Sequence, residues 1–192
     1  MVVDDSVFMR KLISDILNDH ENIEVIETAQ NGKVALEKLE KVKPDVITLD
    51  LEMPLLNGID TLKFISKKYP IPVLIISSLT KEGAKETLQA LELGAVDFVS
   101  KPSGSVSLDI KKVAKEIVEK VILASKSTPK VISKPLILKE SNVPKRSKTN
   151  KILVISTSTG GAIDRKTVIP SLPGDLPCPT LIVQHMPPVF TA

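Results

Sequence analysis

The sequence predicts an α/β protein built on a doubly wound, flavodoxin-like parallel sheet. Short apolar segments alternate with amphipathic helical segments from residue 1 to about residue 123, an order typical of βαβ units. The apolar segments lack polar alternation, which indicates strands buried on both faces between helix layers. Polar residues follow four of the five strands. Because ligands of open α/β sheets bind beyond the carboxyl ends of the strands, these polar residues are the candidate functional groups.

Five strands and five helices are predicted in alternation. The strands are residues 1–3, 23–28, 45–50, 72–76 and 95–99. The first four helices begin near Ser6, Asn31, Asn57 and Lys81, and the fifth contains residues 110–121. Apolar residues at helical spacing give each helix one core-facing side. Gly94 suits the left-handed turn that ends the fourth helix. The first strand is unusually short, because its acidic end is reached within the first four residues.

Composition excludes several classes of protein. The chain has 192 residues, of which 42% are hydrophobic but only 3% aromatic, so an aliphatic core is expected. Its apolar runs are shorter than the roughly 18 to 20 residues of a membrane span, and no signal peptide is recognisable, so we expect no membrane insertion. The single cysteine, Cys178, excludes an intrachain disulfide and favours the reducing cytoplasm.

A basic segment follows the fifth helix. Residues 125–151 contain eight Lys or Arg and a single acid, Glu140. A basic patch can bind nucleic acid. Here, however, Pro129, Pro135 and Pro144 interrupt the basic residues, and no aromatic residue is interleaved for base stacking. We therefore interpret residues 124–149 as a flexible Pro/Lys/Ser linker and expect no nucleic-acid partner.

The polar strand ends suggest a phosphoryl site. Asp4 and Asp5 end the first strand, Asp50 the third, Ser77 the fourth and Lys101 the fifth. In a flavodoxin-like order the first and third strands flank the switch point, so three carboxylates converge there. Their mutual repulsion calls for a cation, and Mg²⁺ prefers oxygen ligands. Asp50 could then accept a phosphoryl group, with Lys101 and a serine hydroxyl binding its oxygens. Alone, Asp50 would be better explained by a cap or turn, and the functional interpretation depends on the other polar strand ends.

These motifs resemble the receiver domain of two-component response regulators. The resemblance covers residues 1–123 and rests on Val2-Val3-Asp4-Asp5-Ser6, Thr48-Leu49-Asp50-Leu51-Glu52-Met53-Pro54, Asn57-Gly58 and Val99-Ser100-Lys101-Pro102. It implies that Asp50 is the phosphoacceptor. It also implies that Mg²⁺ is held by Asp4, Asp5, Asp50 and the backbone carbonyl of Glu52. Phosphoryl-binding and switch roles are implied for Ser77, Lys101 and Phe98.

A second α/β segment follows the linker. Residues 151–156 and 179–183 predict two strands. The first is followed by a Ser/Thr/Gly turn and the second by Gln184-His185-Met186-Pro187-Pro188. Such a turn could bind phosphate or hold a nucleophilic hydroxyl, and a histidine one strand away could be its base. An ordinary polar turn and a structural histidine explain the pattern as well, so the residues alone leave the choice open.

Ser158-Thr159-Gly160-Gly161 and Gln184-His185-Met186-Pro187-Pro188 resemble the catalytic domain of chemotaxis protein-glutamate methylesterases. In that family a receiver and a linker precede the esterase, and phosphorylation relieves inhibition by the receiver. The resemblance implies that Ser158 is the nucleophile and His185 its general base. It also implies a chemotaxis histidine kinase as phosphodonor and methyl-accepting chemoreceptors as substrate for ester hydrolysis and glutamine deamidation.

Two departures from that family shape the expectation for this chain. Ala162 stands where the family usually has proline, and the sequence stops at Ala192. Residues 150–192 are therefore expected to form an N-terminal fragment of a Rossmann-like catalytic domain, without an assignable acidic triad member. We expect phosphoryl acceptance but little ester hydrolysis from this chain. The alternative is a stand-alone receiver that acts as a binding module with a non-catalytic tail.

Overall fold

The computed structural model describes residues 1–78, 81–101, 107–127, 150–157 and 168–184, with the backbone alone at 81–82 and 107–112. The chain divides into two compact units, Met1–Ile132 and Ser133–Ala192. Among the helices described, none combines the length and the apolar character that crossing a membrane requires.

The first unit is a five-stranded parallel sheet with five helices between and after its strands. Its strands are β1 (Val2–Val3), β2 (Thr28–Ala29), β3 (Ile47–Asp50), β4 (Val73–Ser77) and β5 (Asp97–Ser100). Its helices are α1 (Val7–Asn18), α2 (Gly32–Leu39), α3 (Gly58–Lys68), α4 (Lys81–Glu92) and α5 (Ser107–Ser125). The strand order β2-β1-β3-β4-β5 confirms the predicted flavodoxin-like α/β fold. It places the ends of β1 and β3 side by side.

The core is aliphatic because β4 is apolar on both faces up to its last residue and one face of β3 is apolar. Ile47, Leu49, Leu74 and Ile75 are completely buried. The largest fully buried side chains among the described residues are all Ile, Leu or Val. Burial of each such side chain stabilises the fold by roughly 1.5–3 kcal/mol. On one side of the sheet α1 contacts α5, while α2 contacts α3 and α3 contacts α4.

Polar N-caps start three helices directly after the turns that leave the sheet. The Ser6 hydroxyl accepts a hydrogen bond from the Met9 amide, and Asn31 caps α2 in the same way. The Asn57 side chain accepts from the Asp60 amide at 2.8 Å. Each cap is worth about 1 kcal/mol. Gly94 follows α4 with a φ of 99°, the left-handed conformation predicted for it.

The second strand is much shorter than predicted. Residues 23–27 are not a strand, and β2 contains only Thr28 and Ala29. The length of a paired strand is limited by its partner, and the edge strand β2 pairs with β1 through only two residues. Ile23 and Val25 still pack against the core, which accounts for the apolar pattern that suggested a longer strand. The fifth helix extends to Ser125, two residues into the predicted linker.

The second unit contains β6 (Leu153–Thr157) and β7 (Thr180–Gln184), which pair in parallel. Thr157 lies opposite Gln184, and the Thr157 hydroxyl donates a hydrogen bond of 2.6 Å to the Gln184 side-chain oxygen. The two strands therefore end level with each other. Val154, Leu181 and Val183 are exposed.

Gly58 is expected to tolerate no side chain. A Cβ at this position would lie 2.1 Å from the backbone oxygen of Asp50 and 2.6 Å from the Cα of Leu51. These are backbone atoms at the end of β3, and moving them would disrupt the strand. Gly58→Ala should therefore lower the free energy of unfolding by about 1–3 kcal/mol. Urea denaturation followed by circular dichroism measures this change. Gly174→Ala is the control, because nothing lies within 4 Å of its added Cβ. Equal stability of the two variants would contradict the prediction.

Candidate functional site

Three carboxylates converge at the carboxyl ends of β1 and β3. Asp50 is the last residue of β3, and Asp4 and Asp5 directly follow β1. Val3 pairs with Leu49, so Asp4 and Asp50, which follow this pair, lie at the same level of the sheet. One carboxylate oxygen from each of the three acids lies within 4.8 Å of the others. Asp4 and Asp50 are each only 1% exposed, whereas Asp5 is exposed. The predicted convergence of these acids therefore exists, and most of its charge is buried.

Lys101 brings a positive charge to this cluster from the end of β5. Its Nζ lies 2.7 Å from Oδ2 of Asp50 and 3.1 Å from Oδ2 of Asp4. The Lys101 amide donates a 2.8 Å hydrogen bond to the carbonyl of Ser77, which aligns the ends of β5 and β4. One ammonium faces three carboxylates, so the cluster retains negative charge.

The environment changes the acidity of both Asp50 and Lys101. Burial raises the pKa of Asp50 from 3.8 to about 6, because desolvation outweighs the stabilisation of the carboxylate by Lys101 and Asp4 adds repulsion. Burial by itself would lower the pKa of Lys101, but its contacts with Asp50 and Asp4 leave that pKa above its usual value. At neutral pH the Asp50 carboxylate is therefore ionised, and its burial raises the free energy of the folded state.

The donor set suits a hard divalent cation. Oδ1 of Asp4 accepts from the Ser6 amide at 2.9 Å, and Oδ1 of Asp50 accepts from the Glu52 amide at 3.3 Å. Within the described part of the chain, the Oδ2 atoms of Asp4 and Asp50 are buried and have no partner of hydrogen-bond geometry, although the Lys101 ammonium lies beside them. Buried carboxylate oxygens with unused lone pairs are the ligands that such a cation prefers.

Ser77 and Glu52 lie at the edge of this cluster. Ser77 is the last residue of β4 and is 3% exposed, and its hydroxyl donates a long hydrogen bond of 3.4 Å to the Ser78 carbonyl. Glu52 is exposed, and its carboxylate accepts a 2.8 Å hydrogen bond from the Ser78 hydroxyl. Its carboxylate thus connects the turn after β3 to the end of β4.

Phe98 is held against α5. It lies in β5, opposite Ile75, and is 8% exposed. The Lys120 ammonium lies 5.2 Å from the centre of its ring and donates a 2.5 Å hydrogen bond to its carbonyl oxygen. The same ammonium contacts the Asp97 carboxylate at 3.3 Å. The described contacts of Phe98 therefore connect β5 with the helix that follows it.

Arg10, which no sequence pattern singled out, contacts the backbone of Asp4 and Asp5. Its Nη1 donates to the carbonyl oxygens of Asp4, at 2.7 Å, and of Asp5, at 2.9 Å. Helical side chains point toward the N-terminus of their helix. A long basic residue in the first turns of α1 can therefore reach the end of the preceding strand, and this direction is the signal that could have identified it.

Ser158 and His185, the predicted nucleophile and base, lie outside the described residues. Thr157 and Gln184, which immediately precede them, are opposite each other at the ends of β6 and β7.

Comparison with known proteins finds a family model that matches part of each unit. Residues 1–112 match the family model of the response regulator receiver domain, and residues 153–192 match that of the CheB methylesterase. The protein-glutamate methylesterase/protein-glutamine glutaminase of Bacillus subtilis is 48% identical over 203 residues, which cover 100% of this chain and 57% of that protein. The protein of the same name from Archaeoglobus fulgidus is 48% identical over 196 residues, covering 100% of this chain and 56% of its own length. This chain thus spans little more than half the length of these relatives.

Solved structures resemble the first unit. The crystal structure of the response regulator domain of Thermotoga maritima CheB is 51% identical, with a TM-score of 0.60, and the match covers 67% of this chain and 96% of that domain. The signal receiver domain of the putative response regulator NarL from Mycobacterium tuberculosis is 32% identical, with a TM-score of 0.55, over 65% of this chain and 93% of that domain.

The buried charge of Asp50 should make stability depend on pH. Because folding raises the pKa of Asp50 to about 6, the folded state retains its proton at pH values where the unfolded chain has lost it. The free energy of unfolding of the metal-free chain should therefore fall as the pH rises from about 4 to about 6. The side chain of Asp50→Asn resembles the protonated carboxyl group. This variant should therefore not show the decrease in the free energy of unfolding that Asp50 causes. Its stability relative to the parent chain should increase by on the order of 2 kcal/mol between pH ~4.5 and pH ~7.5.

Urea denaturation in EDTA at the two pH values measures this difference. Asp15→Asn is the control, because it removes a negative charge at an exposed carboxylate of α1. A stability difference between Asp50→Asn and the parent that stays constant with pH would refute the prediction.

Proposed function

Because the chain belongs to the response regulator receiver family, we propose that its first unit is a phosphorylation switch whose phosphoacceptor is Asp50. The observation that carries this proposal is the convergence of Asp4, Asp5 and Asp50 with Lys101 at the carboxyl ends of three parallel strands. Asp50 is the acid at the end of the central strand β3, and its carboxylate contacts the ammonium group of Lys101. A histidine kinase of the chemotaxis system is the proposed phosphodonor.

Asp50 acts as the nucleophile in this proposal. A pKa of about 6 leaves its carboxylate ionised at neutral pH. One carboxylate oxygen forms a bond to phosphorus while the bond from phosphorus to the nitrogen of the donor phosphohistidine breaks, which yields an acyl phosphate and the donor imidazole. Lys101 and the Ser77 hydroxyl bind the phosphoryl oxygens as a charge and a hydrogen-bond donor. Phe98 takes the aromatic switch position that reports the change to the rest of the unit.

Mg²⁺ is the proposed cofactor of this site. Asp4, Asp5 and Asp50 would hold it through their carboxylates, and Glu52 would contribute its backbone carbonyl. When bound, the ion offsets the negative charge that acids and phosphoryl group bring together. The buried Oδ2 atoms of Asp4 and Asp50 support this assignment, because in the described structure they accept no hydrogen bond beyond their contacts with the Lys101 ammonium.

The output of the switch is proposed to be a protein-glutamate methylesterase and glutamine deamidase acting on methyl-accepting chemoreceptors. Residues 153–192 match the methylesterase family model, and the relatives named above carry this activity in their names. Ser158 would be the nucleophile and His185 its base. In support, β6 and β7 are parallel and end level, so the residues that follow them leave from the same sheet edge. The proposed division is receiver 1–123, linker 124–149 and esterase 150–192, in the cytoplasm.

Phosphoryl transfer to Asp50 can be measured directly. Incubation with acetyl phosphate and Mg²⁺ should give an acid-labile phosphate on the parent chain and none on Asp50→Asn, because the nucleophilic oxygen is lost. EDTA should prevent incorporation. Asp15→Asn, which changes an exposed carboxylate of α1, should incorporate phosphate like the parent. Incorporation into Asp50→Asn at the parental level would exclude Asp50 as the phosphoacceptor.

A serine-directed fluorophosphonate tests the second unit. An activated Ser158 should be labelled, and labelling should disappear in Ser158→Ala but persist in Ser156→Ala, at an exposed serine of β6. Mass spectrometry of the labelled peptide identifies the residue. Labelling spread over several serines, or none at Ser158, would instead favour a receiver that acts as a binding module.

A further inference from the structure

Two consecutive residues supply carboxylates to the same cluster, which an extended strand does not allow. Successive side chains of a strand point to opposite faces. Asp4 and Asp5 are adjacent in sequence, yet each places a carboxylate oxygen within 4.8 Å of the others in the cluster. The backbone must therefore leave the extended conformation directly after β1, and something has to hold it there.

Arg10 holds this turn from within α1. Its Nη1 lies 2.7 Å from the carbonyl oxygen of Asp4 and 2.9 Å from that of Asp5. A guanidinium Nη1 carries two N–H groups, so it can donate to both oxygens. Consecutive carbonyls of a strand point in opposite directions, but here both point to one nitrogen. The contact therefore stabilises the departure from the extended form that brings the two acid side chains together.

The two acids depend on this contact to different degrees. The Asp4 carboxylate is buried and is also positioned by the Ser6 amide at 2.9 Å and by Lys101 at 3.1 Å. Asp5 is exposed, so burial does not fix its orientation, and the geometry of its backbone matters more.

We propose that Arg10 is a positioning residue for the metal site and acts through the backbone of Asp4 and Asp5 rather than by touching the ion. This inference rests on the proposed function, because it assumes that the acid cluster binds Mg²⁺. The guanidinium suits the task because its planar fork is rigid and its charge strengthens both hydrogen bonds. A lysine at this position would keep the charge and could reach one carbonyl, but it would lose the fixed geometry.

Magnesium titration of the complete 192-residue chain, followed by the amide signals of Asp5, Ser6 and Glu52 in ¹⁵N NMR spectra, tests the proposal without phosphoryl transfer. Loss of a group that orients metal ligands typically weakens metal binding 10- to 100-fold. Arg10→Met keeps an apolar stem and should raise the dissociation constant for Mg²⁺ by about tenfold. Arg10→Lys should recover part of the affinity. Before metal is added, the Asp5 and Ser6 signals of Arg10→Met should already be displaced.

Lys11→Met is the control for charge. Lys11 is the next residue of α1, is exposed and pairs with Asp15 at 2.6 Å, so its loss removes the same charge without touching the acid pair. It should leave the Mg²⁺ affinity close to that of the parent. Equal weakening by Lys11→Met and Arg10→Met would show a general effect of charge and overturn the proposal.

A purely structural role for Arg10 gives a different result. Arg10→Met would then lower the urea midpoint in EDTA while its folded form bound Mg²⁺ as tightly as the parent, and this outcome would also overturn the proposal. Failure of the parent chain itself to bind Mg²⁺ would instead reject the proposed metal site and, with it, the role of Arg10. The two failures are thus distinguishable in one experiment.

Discussion

Two buried carboxylates beside a single ammonium are the constraint on which the rest of this structure depends. Asp4 and Asp50 are almost completely removed from water, and Lys101 contacts both. The residues that precede or pair with these acids, Val3, Leu49 and Ile76, are aliphatic and buried. Desolvation therefore dominates the electrostatics and raises the pKa of Asp50 to about 6. In the proposed switch, a bound cation would offset the unfavourable free energy of this buried negative charge.

The surrounding elements keep that charge in place. Gly58 lets α3 begin against the backbone of Asp50 at a distance that a Cβ would not allow. Arg10, in α1, donates hydrogen bonds to the backbone carbonyl oxygens of Asp4 and Asp5. The amide of Lys101 donates a hydrogen bond to the carbonyl of Ser77, which holds the ends of β5 and β4 in register, and the Lys101 ammonium reaches the cluster from β5. Each of these contacts joins the end of a strand to a neighbouring element, and together they make the strand ends a rigid frame.

Contacts also lead from this frame to the surface of the unit. The Ser78 hydroxyl is bonded to the Glu52 carboxylate, which joins the turns after β4 and β3. Lys120 binds the backbone and ring of Phe98 together with the Asp97 carboxylate, which joins β5 to α5. These contacts connect the turns after β3 and β4 with each other and β5 with α5.

The sequence by itself determined the alternation of strands and helices, the parallel sheet and the convergence of Asp4, Asp5, Asp50 and Lys101. Local patterns suffice for these features, because buried parallel strands are continuously apolar and their polar ends meet at one sheet edge. Only the tertiary structure decided the length of β2, since the extent of a ladder is set by its partner and β1 offers two residues. It alone decided the acidity of Asp50, because desolvation comes from residues distant in the chain. It also decided the contact of Arg10 with the acid pair, since the direction of one side chain depends on how a helix sits over the strand before it.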